Sequence, residues 1–312
     1  MMQSTDEKNK IRAALNEKDG FDVWWRLLRP HTLTASFVPV FVGTMIAYVD
    51  GTFHLILFLA MLLASMLIQT ATNMFNEYYD YVRGLDTEES VGISGTIVRD
   101  GIKPELVRNG AFLLYAFSVL LGIYICMESS WYVAILGLLG MLVGYAYTGG
   151  PLPISYTPLG ELFSGIFMGT LIIGISYFIQ TETITWNVIL ISLPITIFIG
   201  SLNMANNIRD REGDKRGGRK TIPVLLGKDK SITLMAALFV TAYVLTILYI
   251  ILNILPLWSF ITLLSAGKAR SVIKNFRGKT EPLEMMPAMK ATGITNTLYG
   301  FLLGISLLIS AV

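Results

Sequence analysis

Long apolar runs recur along the whole chain, each closed by a polar stretch. Nine of them, at 32–49, 54–79, 106–127, 131–147, 159–180, 186–207, 231–252, 254–270 and 289–311, predict helices. A helix crosses a bilayer with roughly 17–25 apolar residues. Residues 21–30 carry Phe21, Val23, Trp24, Trp25, Leu27 and Leu28 beside Arg26 and Arg29, the pattern of an interfacial helix with a tryptophan anchor. Residues 1–20 are polar and are expected to be mobile. They lack a signal-peptide pattern, so the first span is expected to be its own address. The expected fold is all-α: a polytopic membrane bundle of about nine transmembrane helices with cytoplasmic cap loops and a cytoplasmic N-terminus. Residues 1–30 form a terminal segment and 31–312 a single transmembrane domain.

Composition agrees. Of 312 residues, 53% are hydrophobic and 15% charged, against roughly 25% charged in an ordinary soluble domain. The net charge of +2 gives no reason to expect a nucleic-acid partner. The single cysteine, Cys126, excludes an intramolecular disulfide framework and a multi-cysteine metal site. His31 and His54 are too isolated to share a metal.

Charge fixes the expected orientation. With nine spans, one side receives the N-terminus and the loops 80–105, 148–158, 208–230 and 271–288. Counting the helix ends that face these loops, all 24 Lys and Arg fall on that side. The opposite turns carry Asp50, His54, Glu128 and Glu182 and no cation. The positive-inside rule makes the basic side cytoplasmic and the protein a multi-pass protein of the cell membrane. Loops 80–105 and 208–230 are too polar for lipid and are expected to form short helices capping the bundle.

Two polar heads interrupt this pattern. Asn73-Met74-Phe75-Asn76-Glu77-Tyr78-Tyr79-Asp80 closes the second run, and Asn203-Met204-Ala205-Asn206-Asn207-Ile208-Arg209-Asp210 closes the sixth, at an offset of 130 residues. Asp86 follows the first and Asp214 the second. Four crossings separate them, so both face one side, as a parallel repeat rather than the inverted repeat common in transporters. Asn73, Asn76 and Asp80 share one helix face, and Asn203, Asn206, Asp210 and Asp214 share another. Gly84 is expected to break the first helix so that Asp86 returns from the loop.

Carboxylates and amide oxygens without His or Cys are hard ligands that suit Mg²⁺, which shares its shell between carboxylates and phosphate oxygens. Arg83, Arg209, Arg219 and Lys220 stand beside them, and both cations bind phosphate. Acids and bases together indicate a Mg²⁺-bridged diphosphate. A lone helix-end Asp is more often a solvated group, but the same head on two helices at one depth is costly unless used. There is no P-loop and no G-x-G-x-x-G, which disfavours a nucleotide. Arg29 stands at the mouth of the first span, where it could equally be a membrane-end anchor. Tyr145 and Tyr147 close the fourth, before a Gly/Pro turn without cations. They could line a cavity that holds an aromatic ring or a developing cation, although interfacial tyrosines are common.

At this point the residues resemble the UbiA superfamily of intramembrane prenyltransferases. Asn76, Asp80 and Asp86, with Asp210 and Asp214, are similar to its two Asp-rich motifs, which lie on cytoplasmic loops after helices two and six of nine. The stretches RPHTLTASFVPVFVGT (29–44), YTGGPLPISYTPLGE (147–161) and NNIRDREGDKRGGRKT (206–221) look most like the branch acting on 1,4-dihydroxy-2-naphthoate in menaquinone synthesis. The six-residue step from Asp80 to Asp86, with Gly84 where other branches carry the acid, points the same way. Glu77 stands where the usual motif has Asp. The resemblance implies Mg-dependent transfer of a polyprenyl chain from polyprenyl diphosphate to that ring, with loss of CO₂. It implies Asn76, Asp80, Asp86, Asp210 and Asp214 as metal ligands, with Asn206 assisting. Arg29, Arg83, Arg209, Arg219, Lys220, Tyr145 and Tyr147 would bind substrate, and membrane lipid would surround the greasy tail.

Three alternatives stand beside this. A transferase could use another acceptor, 4-hydroxybenzoate or homogentisate. A secondary transporter of organic anions would not explain acidic heads at one end of the bundle. A non-catalytic prenyl-lipid binder would need no acid pairs.

Overall fold

The computed structural model describes residues 11–13, 17–30, 32–87 and 95–311, and all regular structure among them is helical. His31 lies outside the described residues. The helices are α1 (Phe21–Leu28), α2 (Thr34–Val49), α3 (Leu55–Val82), α4 (Thr96–Asp100), α5 (Pro104–Glu128), α6 (Tyr132–Ala146), α7 (Gly160–Thr181), α8 (Trp186–Arg216), α9 (Ile222–Leu226), α10 (Lys228–Ile251), α11 (Ala266–Phe276) and α12 (Met286–Ser310). Six of them, α3, α5, α7, α8, α10 and α12 with the turn before it, are long and apolar enough to cross a membrane. Two shorter apolar helices, α2 and α6, accompany them. The polar loops carry the short helices α4 and α9, as their composition suggested.

Helix α1 buries Val23 and Leu27 and exposes Phe21, Trp24 and Trp25, the amphipathic division read from the sequence. Residues 1–10 and 14–16 lie outside the described residues, but Glu17 is held more firmly than its polarity suggested. Glu17 pairs with the buried Arg99 of α4 at 2.6 Å, and Arg26 pairs with Asp100 at 2.6 Å.

Two elements depart from expectation. Helix α8 does not stop with its apolar run at 207 but runs on to Arg216, and it carries Asp210 and Asp214 on the helix, as their shared stripe required. Asp210 is neutralised by its neighbour Arg209, and Lys215 and Arg216 favour the negative end of the helix dipole. The eighth apolar run is not one α-helix. It is a 3₁₀ stretch, Leu257–Ser265, followed by amphipathic α11. Ser259, Thr262 and Ser265 recur every third residue and are all buried, the period of a 3₁₀ helix. Ser259 also shares a hydrogen bond with Ser306 of α12 at 2.9 Å.

The main apolar core joins α2, α8, α10 and α12, and a second joins α2, α3, α5 and α7. Close helix approach is bought with small residues. A Cβ on Gly165 of α7 would lie 2.7 Å from the Thr196 carbonyl oxygen, and one on Gly200 of α8 would lie 2.9 Å from that of Glu161. A π-helical turn, Ile166–Leu171, directs Thr170 to Ser192 and Thr196 at 2.9 and 2.8 Å. Helix α6 is peripheral: of its 15 residues only Val133 is buried.

Helices α3 and α8 finish together at one end of the bundle, the motif end. At the other, Tyr177 donates to Asp50 at 2.6 Å, and Gln180 brackets the His54 backbone, accepting its N–H at 2.6 Å and donating to its carbonyl at 3.2 Å.

Candidate active site

The two heads meet through one side chain. Arg219, in the turn after α8, ion-pairs with Asp80 of α3 and with Asp214 of α8, the latter at 3.1 Å. Its guanidinium also lies 5.3 Å from the ring centre of Tyr156. Asp210 is gripped by Arg209 through two bonds of 2.7 and 2.6 Å. Each of these three acids therefore faces a guanidinium. Among the described residues no three carboxylate, His or Cys side chains are gathered around a single point. The arginines lie among the acids. One oxygen is left over: Asp214 Oδ2 is buried without a hydrogen-bond partner.

Helix α3 ends at Val82, and Gly84 follows with φ 68°, a left-handed turn that suits glycine. The chain then folds back, so that the N–H groups of Leu85 and Asp86 both donate to the Asp80 carbonyl, at 2.9 and 3.3 Å. Burial first, then the charges of Asp80 and Glu77, push the Asp86 carboxyl up to about 7, with Arg29 opposing.

The amides line a cavity of 420 Å³. Asn73, Asn76, Asn203 and Asn206 stand in its wall at the motif end, with Arg29 and Tyr147. Asn76 accepts from Thr148 at 2.7 Å, Asn203 donates to the Tyr147 hydroxyl at 2.6 Å, and Asn206 donates to the Leu202 carbonyl at 3.3 Å.

The structure does not bring every expected residue here. Tyr145 does not line the cavity. Two residues along a helix turn a side chain through about 200°, so while Tyr147 faces inward, Tyr145 packs edge-on against Phe75 at 5.2 Å and shares a 2.6 Å hydrogen bond with Tyr79. Arg83 donates to the carbonyls of Thr148 and Gly150, the latter at 2.8 Å, and lies over Tyr79 and Tyr156. It ties the 148–156 turn to the end of α3. Lys220 is exposed and contributes only its backbone N–H, to the Tyr156 carbonyl at 2.9 Å.

The chain matches the model of the UbiA prenyltransferase family over residues 36–283. It belongs to that family. A 1,4-dihydroxy-2-naphthoate octaprenyltransferase of Bacillus subtilis is 52% identical over 309 residues, covering 99% of either chain. One of the same name from Haemophilus influenzae is 26% identical over 96% of this chain and 99% of its own. The solved structure of a UbiA homologue from Archaeoglobus fulgidus bound to GPP and Mg²⁺ superposes with a TM-score of 0.62 at 17% identity, covering 89% of this chain and 98% of that one. The fold is therefore that of the UbiA membrane enzymes, and the protein is a multi-pass membrane prenyltransferase.

Two features of this UbiA member were not read from its sequence. Tyr156 receives two guanidiniums on its ring, and its signal was the absence of cations from a turn on the basic side. Glu77 was counted only as a charge. Its carboxylate is buried and caps α4, accepting from the Thr96 N–H at 2.5 Å, the Thr96 hydroxyl at 2.9 Å and the Ile97 N–H at 3.2 Å, while Arg29 lies 3.8 Å away. Glu77→Ala strips these donors of their acceptor, which costs about 1–3 kcal/mol. Hydrogen exchange at the Thr96 and Ile97 amides is expected to speed up about tenfold or more; unchanged protection would refute the capping role.

Proposed function

We propose that this protein transfers a polyprenyl chain from polyprenyl diphosphate to 1,4-dihydroxy-2-naphthoate, releasing diphosphate and CO₂ and giving demethylmenaquinol in menaquinone biosynthesis. The observation that carries the reading is the 52% identity, end to end, to an enzyme of that name. The site supports it independently, with charged groups at one end and a cavity that continues into the apolar bundle.

Asp80, Asp86, Asp210 and Asp214, with Asn76 and Asn206, would hold Mg²⁺. Their oxygens are hard donors, and the unpartnered buried oxygen of Asp214 is the kind of group a hard cation takes. Bound there, Mg²⁺ would supply Lewis-acid charge to the diphosphate oxygens. Arg209, Arg219 and Arg29 add fixed positive charge where negative charge grows as the allylic C–O bond breaks. The cavity keeps water from the allylic cation, which would otherwise be hydrolysed. Tyr147, Asn203 and Asn76 orient the acceptor. The ring carbon bearing the carboxylate forms the new C–C bond, and loss of CO₂ returns an electron pair to the ring and restores aromaticity.

The motif end faces the cytoplasm of a nine-span plasma-membrane protein, supported by the gathering of all 24 Lys and Arg on that side. Residues 1–30 form a terminal segment on the single domain 31–312. The test is an assay of purified protein in nanodiscs with a prenyl diphosphate and 1,4-dihydroxy-2-naphthoate. Prenylated naphthoquinol and CO₂ are expected with Mg²⁺ and are lost with EDTA. No product from folded protein would refute the acceptor and lead to 4-hydroxybenzoate and homogentisate.

A further inference from the structure

The cavity extends far beyond the amides and arginines. Along α3 its wall runs from Asn76 down to Met61, roughly 22 Å at about 1.5 Å per residue. Along α6 it reaches Trp131 and along α5 Cys126. Its wall residues Ile125, Val133 and Ile175 belong to an apolar cluster with Leu57, Ala60 and Ile179. Among the described residues, Arg29, at the motif end, is the one charged residue of the lining. Ser65 of α3 and Ser118 of α5 line the lower half, and the Ser118 hydroxyl is turned back to the Leu114 carbonyl at 2.9 Å. The other side chains there are mainly apolar, while the amides and Arg29 stand at the motif end, so the lower half suits hydrocarbon better than a ring with a carboxylate and two hydroxyls.

Gly122 of α5 and Gly137 of α6 are among the residues that line the lower half, with Gly140 one turn above Gly137. A glycine inside a helix costs about 1 kcal/mol relative to alanine, and in membrane helices the usual compensation is close helix packing. Gly165 and Gly200 have that compensation, as described above. Gly122 and Gly137 do not: a Cβ built on either meets no atom within 4 Å. What their missing side chains provide is width in the cavity.

Their depths can be placed. Gly144 abuts Thr72, so Gly137, two turns on, lies about 10 Å below Thr72. Gly110 abuts Met74, so Gly122 lies about 18 Å below Met74, close to Met61 and about one turn deeper than Gly137.

We propose that the lower half of this cavity, widened by Gly122 and Gly137, binds the distal isoprene units of the prenyl donor and sets the chain length the enzyme prefers. The inference rests on the prenyl-transfer reading above. The hydrocarbon enters from the motif end with its diphosphate among the arginines, and its tail runs down between α3, α5 and α6. A side chain at Gly122 obstructs only the far end of a long tail, and one at Gly137 obstructs a shorter tail as well.

The test compares kcat/KM for geranyl, farnesyl and octaprenyl diphosphate in full-length protein in nanodiscs. Gly122→Phe is expected to lower the octaprenyl-to-geranyl ratio at least tenfold. Gly137→Phe is expected to do the same and also to lower the farnesyl-to-geranyl ratio. Gly122→Ala and Gly137→Ala keep the ratios of the parent, and leucine at either position carries the same test if phenylalanine prevents folding. Ratios unchanged in folded variants, or an equal loss with all three donors, overturn the assignment while leaving prenyl transfer intact. Absence of turnover by the parent with every donor refutes the prenyl-transfer reading, and this inference with it.

Discussion

Asp80→Ala and Asp210→Ala are each expected to lower turnover about a thousandfold or more, because each removes a carboxylate proposed to hold the Mg²⁺ that stabilises the departing diphosphate. The two acids sit in different helices and have different partners. Asp80 is held by Arg219, which comes from the turn after α8, and Asp210 by the adjacent Arg209. Loss of Asp210 takes from Arg209 the carboxylate it grips, and loss of Asp80 leaves Arg219 paired with Asp214 alone. That cost falls at the motif end and not in the apolar core of α2, α8, α10 and α12. The variants should therefore insert and stay monodisperse, with a helical circular dichroism spectrum like that of the parent. Single-turnover assays with saturating acceptor provide the measurement. Near-normal rates in both variants would refute the placement of the site.

Arg219→Ala is expected to be nearly as damaging, on the order of a hundredfold in kcat/KM, the loss seen when one preorganised charge donor is removed. Arg219 is the side chain that joins the two halves of the internal repeat, pairing with Asp80 on one side and Asp214 on the other. Without it, two carboxylates face each other with no cation between them. Arg219→Lys keeps the charge but replaces a planar fork with a point donor that cannot serve both acids in the same geometry. Its activity should fall between those of the parent and Arg219→Ala. A double-mutant cycle with Asp214→Ala gives the decisive comparison. Residues that share one network are non-additive, so the double variant should lose much less than the product of the single losses. Strict additivity would mean that Arg219 serves another purpose.

The sequence placed helices where apolar runs are long, because length and polarity leave a membrane chain few other choices. It also brought the two motifs to one end, because the number of crossings between them is even. It did not foresee the 3₁₀ stretch at Leu257–Ser265, whose cue is the three-residue spacing of Ser259, Thr262 and Ser265 inside an otherwise apolar run. The shared stripe of Asn203, Asn206, Asp210 and Asp214 carried the sixth helix past its apolar run, but the end at Arg216 has no mark in the apolar pattern. In the site, residue types indicated anion and cation chemistry, but pairings depend on three dimensions. Arg219 lies far along the chain from Asp80, and the inward turn of Tyr147 against the outward turn of Tyr145 follows from helix phase at a terminus whose position the sequence leaves uncertain. Glu77 was the most misleading residue. It lies inside an acid motif, and its carboxylate is spent on the backbone of α4.

The thin packing of α6 gives the surrounding bilayer a part in the enzyme. A helix with one buried residue contributes its cavity-facing wall while its outer face leans on annular lipid. Acyl-chain order and lateral pressure then determine how firmly that wall is held, much as a neighbouring subunit would in a soluble oligomer. Detergent would loosen the wall around the tail before it disturbed the charged end, so solubilised enzyme would retain its chemistry while losing discrimination among donors.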